Sequence, residues 1–193
     1  FTDLIRGEIE FNNEDLDDWV MIRSNNVPTY NFVVVVDDLE MKISHVIRGD
    51  DHINNTPKQL YIYDALKAPK PLFAHLPMIL GEDKKKLSKR TGETSASQYR
   101  KEGYLPEGLL NFLVRLGWSH GDQELFTMAE MIEHFGFDHV QVTGAVFNAE
   151  KLLWINGEHI KKTSADKILS ILKEDFGFTY SGVSDTYVMS LIG

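Results

Sequence analysis

A strand, a helix and a second strand in the first half of the chain constrain its fold more than any other sequence feature. The segment "ISHVIRGDD", Ile43–Asp51, predicts a strand that ends in a turn. Thr56 followed by Pro57 is typical of a helix start, with Thr56 as the N-cap. The apolar segment "LFAHLPMIL", Leu72–Leu80, predicts the second strand. This alternation indicates an α/β sheet, in which ligands bind beyond the carboxyl ends of the strands.

Three earlier segments give different secondary-structure signals. The segment "FTDLIRGEIEF", Phe1–Phe11, alternates apolar and polar residues around a glycine and predicts an extended hairpin, and "WVMIR", Trp19–Arg23, predicts a strand. The run "NFVVVVDDLEM", Asn31–Met41, is ambiguous. Its four consecutive valines favour a strand by propensity, but its apolar residues would equally line a buried helix.

The sequence pattern changes after Thr91. Successive helices are predicted, with Ser, Pro, Thr or Asn at their starts and Gly at their ends, in the segments "SASQYRKEG", "PEGLLNFLVRLG", "TMAEMIEHFG" and "AEKLLWINGEHIKK", followed by one over Asp166–Phe176 and one from Asp185. We therefore place a domain boundary near Tyr99–Leu105. Residues 1–98 are predicted to form the α/β domain, and residues 99–193 a helical region.

Composition excludes several classes of protein and site. The 193-residue chain has no cysteine, which excludes disulfides, thiolate zinc sites and a cysteine nucleophile. No apolar run approaches the roughly 20 residues of a membrane span. A cytoplasmic, reducing setting is expected. Because the chain opens on Phe1 rather than methionine, we expect it to be a piece of a longer protein.

A basic run interrupts a chain whose formal net charge is -9. In "GEDKKKLSKRTGE", Gly81–Glu93, five cations lie within seven positions: Lys84, Lys85, Lys86, Lys89 and Arg90. A solvated surface loop is one interpretation. The bracketing glycines, the hydroxyl of Ser88 and the apolar Leu87 favour another, a loop that closes over an anionic ligand.

Polar residues cluster where the first predicted strand ends. The segment "VIRGDDHINNTP", Val46–Pro57, includes Arg48, whose planar guanidinium suits a carboxylate or a phosphate. The alternative is a capped loop in which Arg48 pairs with Asp50, and both interpretations stay open on this segment alone. The adjacent Asp37 and Asp38 point in different directions on one element, so we expect a structural role for them.

Known motifs for metals and phosphates are missing from the sequence. The seven histidines show no metal-ligand spacing, and there is no GxGxxG motif, P-loop or nucleophile elbow. Any phosphate binding by the basic run would therefore use side-chain charge. No metal site is predicted.

The basic run and its surroundings resemble the glutamyl-tRNA synthetases, which are class I aminoacyl-tRNA synthetases. "KLSKR" at 86–90 is similar to the KMSKS signature of that class. The resemblance continues in family order through "PTYNF", "VVDDLEM", "HVIRGDDHINNTPKQLYIYDAL", "LPMILGEDKKKLSKR", "YRKEGYLPEGLLNFLVRLGWSHGD" and "LLWINGEHI", from Phe1 to about Lys162. It implies the second half of a Rossmann-like catalytic domain followed by a helical stem-contact region, and it implies a helix after Tyr30.

The resemblance also implies a reaction. Such enzymes use ATP to convert L-glutamate to glutamyl-adenylate and then transfer the glutamyl group to the 3′ end of tRNA(Glu). Magnesium would arrive with ATP, because no protein cage for it is visible. A monomeric full-length enzyme is expected.

Site residues follow from the same resemblance. Lys89 is expected to contact the ATP phosphates and to stabilise the charge that builds on them. The catalytic set is predicted as Lys86, Ser88 and Lys89, the ATP-binding set as Asp51, His52, Lys86, Leu87, Ser88, Lys89 and Arg90, and the glutamate-binding set as Tyr30 and Arg48. "GDD" stands at 49–51 where the family commonly has "GED", so a ligand role for Asp50 is not expected.

The HxGH motif of the family does not occur in this chain. We expect it to precede Phe1 and an anticodon-binding domain to follow Gly193, and we predict that the chain alone is inactive. One alternative is a non-catalytic RNA-binding or interaction module derived from such an enzyme. Another is a glutaminyl or glutamyl-queuosine relative, although the long helical region differs from the short queuosine type.

Overall fold

The computed structural model describes residues 1–87 and 95–192. The chain divides into two compact units. Unit 1 comprises Phe1–Met78 and Gly136–Gly144, and unit 2 comprises Ile79–Phe135 and Ala145–Gly193. The domain boundary near Tyr99–Leu105 stays a prediction.

Unit 1 is built on a four-stranded sheet. Its strands are β1 (Thr2–Asp3), β2 (Gly7–Glu8), β3 (His45–Gly49) and β4 (Leu72–Leu76), in the order β2-β1-β4-β3. β1 and β2 form the predicted antiparallel hairpin, while β4 runs parallel to both β1 and β3. The predicted α/β sheet is therefore confirmed.

Two helices of unit 1 pack against each other: α1 (Tyr30–Glu40) and α2 (Thr56–Ala65). The four valines lie in α1, as the family resemblance predicts and against their β propensity. Val35, which is 1% exposed, packs against Ile62 and Tyr63 of α2. Burial of this apolar face therefore outweighs the modest helix propensity of valine.

The strand predicted over Trp19–Arg23 is wrong. The segment makes one isolated bridge, from Ile22 to Pro28, and folds back on the residues that follow it. The amide of Thr29 donates to the carbonyl of Met21 at 2.8 Å, around a turn in which Asn26 has φ 61°. The segment thus pairs with its own continuation, where Pro28 has no N–H to extend a ladder.

The single strand predicted over Leu72–Leu80 is also wrong in its extent. β4 ends at Leu76, and pairing resumes only at β5 (Ile79–Leu80), which belongs to a different sheet. Pro77 lies between them and has no N–H to donate.

The helices that were predicted for the second half of the chain are present in unit 2, and the prediction is confirmed. β5 pairs in parallel with β6 (Ala145–Val146). The helices are α3 (Ala96–Lys101), α4 (Pro106–Gly117), α5 (Met128–His134), α6 (Ala149–Lys162), α7 (Ala165–Phe176) and α8 (Asp185–Ile192). Several begin where side-chain caps were expected, among them α5, where Thr127 and Glu130 form a reciprocal capping box.

The core of unit 2 lies between α4 and α6. Phe112 packs with Leu152 and Ile155, and all three are at most 1% exposed. Trp118, which follows α4, is also buried. No helix among residues 1–87 and 95–192 is both long and apolar enough to span a membrane.

Candidate functional site

Two polar side chains face each other across the parallel strands of unit 1. Arg48 on β3 is the register partner of His75 on β4. Arg48 lies near the carboxyl end of β3, and the short 3₁₀ segment Asp50–Asn55 follows directly. Parallel sheets of this kind bind ligands at that end of their strands.

The guanidinium of Arg48 is held by directional hydrogen bonds. Its Nε donates to Nε2 of His75 at 3.1 Å, and its Nη2 donates to Oγ1 of Thr56 at 2.9 Å. The ring of Phe73 lies 5.6 Å from the guanidinium carbon. Burial lowers the pKa of Arg48 from its ordinary value, while Tyr30 acts in the opposite direction. A fixed cation results, which can pair with a carboxylate or a phosphate.

The hydroxyl of Thr56 accepts a hydrogen bond from Arg48 instead of capping α2. The expected N-cap of α2 is wrong by one residue, because Asn55 occupies the N-cap position and Thr56 is the first helical residue. Thr56 is fully buried, and its hydroxyl accepts from Arg48 and lies 3.3 Å from Nε2 of His75. Pro57 lies in the first turn of α2, where its missing N–H leaves no helical hydrogen bond unmade.

Behind Arg48, His75 is paired with Asp3 of β1. His75 Nδ1 lies 2.6 Å from Asp3 Oδ2, and both side chains are 0% exposed. The other Asp3 oxygen accepts from the amides of Ile5, Arg6 and His75 at 3.0, 3.1 and 3.3 Å. Burial acts to raise the pKa of Asp3, but these hydrogen bonds outweigh it and the pKa is lowered.

Tyr30 and His52 lie next to Arg48, whose Nη2 is 3.4 Å from the carbonyl of His52. The Tyr30 hydroxyl is 3.4 Å from His52 Nδ1, the two rings are 5.7 Å apart, and Tyr30 is 50% exposed. His52 Nδ1 is also 3.2 Å from Asn55 Nδ2. Three residues predicted from the sequence, Tyr30, Arg48 and His52, are thus brought together in one place.

Asp51 follows β3 on the same 3₁₀ segment. Its carboxylate folds over Gly49, where an added Cβ would lie 2.6 Å from Asp51 Oδ1. Gly49 thus leaves room for the Asp51 side chain. The predicted ATP contact of Asp51 stays a prediction.

Asp50 pairs with Arg6, not with Arg48. The distance from Arg6 Nη2 to Asp50 Oδ2 is 2.7 Å, and the same guanidinium donates to the carbonyls of His75 at 3.3 Å and Val142 at 3.0 Å. The alternative in which Arg48 pairs with Asp50 is therefore wrong. Asp50 instead ties the end of β3 to the loop after β1.

Asp38 lies on the α1 side of the same cluster. Burial raises its pKa, although the charge of Arg48 acts against the shift. Burial and the nearby Asp38 carboxylate in turn raise the pKa of Tyr63 to about 12. Its partly buried position beside Tyr63 agrees with a structural role for Asp38.

The first part of the basic run forms a tight hairpin in unit 2. Lys86 bridges Leu80 of β5, the amide of Leu87 donates to the carbonyl of Ile79 at 2.9 Å, and Lys84 closes the turn with φ 58°. A pocket of about 290 Å³ adjoins this hairpin and is lined in part by Lys85, Lys86 and Leu87. The predicted Ser88, Lys89 and Arg90 lie outside the described residues.

Asp3 and His75 are the site residues that the sequence did not reveal. They are separated by 72 positions in the chain. The available signal was a polar residue at a buried position of an apolar strand, in "LFAHL". Among residues 1–87 and 95–192, no group of three or more His, Asp or Glu side chains could hold a metal ion.

Comparisons with known proteins identify the family of the chain. The family model described as tRNA synthetases class I (E and Q), catalytic domain, matches residues 1–154. The chain is 58% identical over 171 residues to a glutamate–tRNA ligase 1 of Syntrophus aciditrophicus, and 57% identical over 171 residues to a glutamate–tRNA ligase of Thermodesulfovibrio yellowstonii. These alignments cover 89% of this chain but 36% and 37% of the relatives, so the chain spans little more than a third of their length.

Solved structures give the same result. The chain superimposes over 100% of its length, with a TM-score of 0.86 and 37% identity, on 42% of a glutamate tRNA ligase from Elizabethkingia meningosepticum crystallised with its amino acid. The glutamate-tRNA synthetase of Elizabethkingia anophelis gives a TM-score of 0.85, also at 37% identity, over 43% of that protein. The α/β sheet and the helices that follow it are therefore those of a class I synthetase, and the chain belongs to the class I tRNA synthetases of the glutamate and glutamine type.

Proposed function

We propose that this chain provides the second half of the catalytic domain, and the helical region after it, of a glutamate–tRNA ligase. The enzyme would form glutamyl-adenylate from L-glutamate and ATP and transfer the glutamyl group to tRNA(Glu). The observation that carries the proposal is the clustering of Arg48, Tyr30 and His52 at the carboxyl end of β3. Family membership supports the same reaction.

Arg48 is proposed to bind a carboxylate of glutamate. Two of its nitrogens are hydrogen-bonded to His75 and Thr56, so the guanidinium has one orientation. A cation that is already oriented loses little side-chain entropy when it binds the substrate. The exposed ring of Tyr30 is proposed as a second wall of the amino-acid pocket, with its hydroxyl as a hydrogen-bonding group.

The basic run is proposed to bind ATP. Attack on the α-phosphate builds negative charge on the phosphate oxygens and the leaving pyrophosphate, and the ammonium of Lys89 would stabilise that charge. Lys86, Leu87, Ser88 and Arg90 complete the proposed phosphate-binding segment. Asp51 and His52 are proposed to lie near the nucleotide, and magnesium would enter with ATP. A cytoplasmic location and a monomeric enzyme are further predictions.

Substitution of Lys89 tests the catalytic part of this proposal. In the complete ligase, we expect Lys89→Ala to lower kcat of glutamate-dependent ATP–pyrophosphate exchange by roughly 100-fold or more, with a smaller change in KM, because the charge is needed in the transition state. Lys42→Ala is the matched control, since Lys42 is an exposed lysine in the turn after α1. Ordinary turnover combined with weaker and less salt-dependent RNA binding would instead support the RNA-binding module.

A further inference from the structure

A buried chain of hydrogen-bonded side chains lies behind the arginine that is proposed to bind substrate. Asp3, His75 and Arg48 come from three adjacent strands, in the spatial order β1, β4, β3. The two successive contacts are Asp3 Oδ2 to His75 Nδ1 at 2.6 Å and His75 Nε2 to Arg48 Nε at 3.1 Å. Isolated carboxylates are rarely buried at 0% exposure, because desolvation of the charge is costly unless it is paired.

The contacts define the proton positions on His75. Arg48 Nε always carries a hydrogen, so Nε2 of His75 must be the acceptor and Nδ1 must carry the imidazole proton. That proton is donated to Asp3. A second proton on Nε2 would place two donors face to face at 3.1 Å and break the contact with Arg48.

We propose that His75, fixed as the neutral Nδ1–H tautomer by Asp3, is a positioning residue that orients Arg48 for glutamate. The proposal rests on the glutamate-binding role proposed for Arg48. Thr56 completes the arrangement, because its hydroxyl accepts from Arg48 Nη2 while Nε is held by His75. Two donors of one planar group are thereby fixed, which sets both its direction and its plane.

Electrostatics agrees with this tautomer. Burial, and to a smaller extent the charges of Arg48 and Arg6, lower the pKa of His75, although Asp3 acts in the opposite direction. The charged groups that face His75 are Asp3 from β1, Arg6 from the loop after it, and Arg48 from β3. The neutral imidazole therefore persists below the ordinary histidine pKa of roughly 6.5.

Two substitutions of His75 separate orientation from packing. His75→Gln keeps an acceptor near the position of Nε2. His75→Asn keeps a donor near the position of Nδ1, but its shorter side chain has no acceptor that reaches the position of Nε2. In the complete ligase, we expect His75→Asn to raise KM for glutamate about ten-fold or more, the effect of one lost hydrogen bond to a charged group, and to leave KM for ATP within about two-fold. His75→Gln should restore KM for glutamate to within about three-fold of the unsubstituted enzyme. His45→Asn, an exposed histidine on β3, is the control.

A double substitution links the effect to Arg48. In an Arg48→Ala background, His75→Asn should cause no further rise in KM for glutamate, because the group that it positions is gone. Equal losses for His75→Asn and His75→Gln, or additive losses with Arg48→Ala, would overturn the positioning role. If Arg48→Ala itself leaves KM for glutamate unchanged, the proposed glutamate site fails instead, so the two failures are distinguishable.

The pH dependence of the unsubstituted ligase, compared with that of His75→Gln, provides a further test. Because burial lowers the pKa of His75, the KM for glutamate should rise only when the pH falls clearly below about 6.5, where a proton on His75 Nε2 displaces Arg48. His75→Gln lacks this imidazole, so its KM for glutamate should rise less over the same range. Parallel profiles for the two enzymes would contradict the proposal.

Discussion

Glu124 lies in the loop between α4 and α5 and connects this loop to α4 and α6 of unit 2. Its carboxylate accepts from Arg115 of α4 at 2.8 Å and lies 2.7 Å from the ammonium of Lys151 on α6. Its backbone carbonyl accepts from Asn111 at 2.9 Å. The hydrogen bond from Arg115, with help from Lys151, outweighs burial and lowers the pKa of Glu124 to about 2. A surface-accessible carboxylate thus contributes to the packing of two helices.

The lowered pKa predicts a specific acid sensitivity. A carboxylate that is more acidic in the folded state contributes stability above its unfolded pKa of roughly 4.3, and that contribution is lost as the pH falls towards the folded value. We expect the urea midpoint of unfolding to fall more steeply with acid for the unsubstituted chain than for Glu124→Gln, as measured by circular dichroism. Glu150→Gln, at an exposed position of α6, should keep the steeper slope. Identical slopes for all three chains would contradict this role.

At the scale of elements, α4 and α6 approach closely because a glycine faces an asparagine. A Cβ on Gly108 would lie 2.8 Å from Asn156 Oδ1 and 3.0 Å from Asn156 Cα. The side chain of Asn156 is buried, and it accepts from the amide of Leu105 at 2.8 Å just before α4 begins. Packing and a buried hydrogen bond thus depend on the same contact.

Two Gly→Ala substitutions distinguish packing from helix propensity. Gly108→Ala should lower the free energy of unfolding by about 1–3 kcal/mol, because the new methyl group meets backbone as well as side chain. Gly157→Ala on α6 has no atom within 4 Å of its Cβ and should raise the free energy of unfolding by about 0.5–1 kcal/mol. Urea denaturation of both variants measures the difference. A stabilising Gly108→Ala would show that the helices separate at little cost.

Local sequence signals predicted most of these elements. The caps and stops after Tyr99 act within a few residues of each helix, so they could be recognised without the fold. The valine run required the family resemblance, because propensity and burial oppose each other there. The pairing of Asp3 with His75 could not be predicted, since it forms only when β1 and β4 become neighbours. Tyr30, Arg48 and His52 were predicted by resemblance, whereas the residues that hold Arg48 were not.

At the scale of the whole molecule, the chain spans little more than a third of its curated relatives and contains no HxGH motif. We expect the isolated 193-residue chain to catalyse no measurable glutamate-dependent pyrophosphate exchange, because the resemblance assigns part of the ATP site to that motif. The complete ligase, assayed at equal concentration, is the positive control. An exchange rate comparable with that of the complete enzyme would refute the prediction.

Unit 1 is discontinuous in sequence, because Gly136–Gly144 belongs to it after an excursion through unit 2. The returning segment contributes the buried Val140 and the carbonyl of Val142 that accepts from Arg6. A ribosome that has synthesised the chain only as far as Met78 has therefore not yet made all of this unit, and its assembly can finish only after residue 144 has left the exit tunnel. Truncation at Met78 would leave Arg6 without this acceptor and would remove the buried Val140 from the unit.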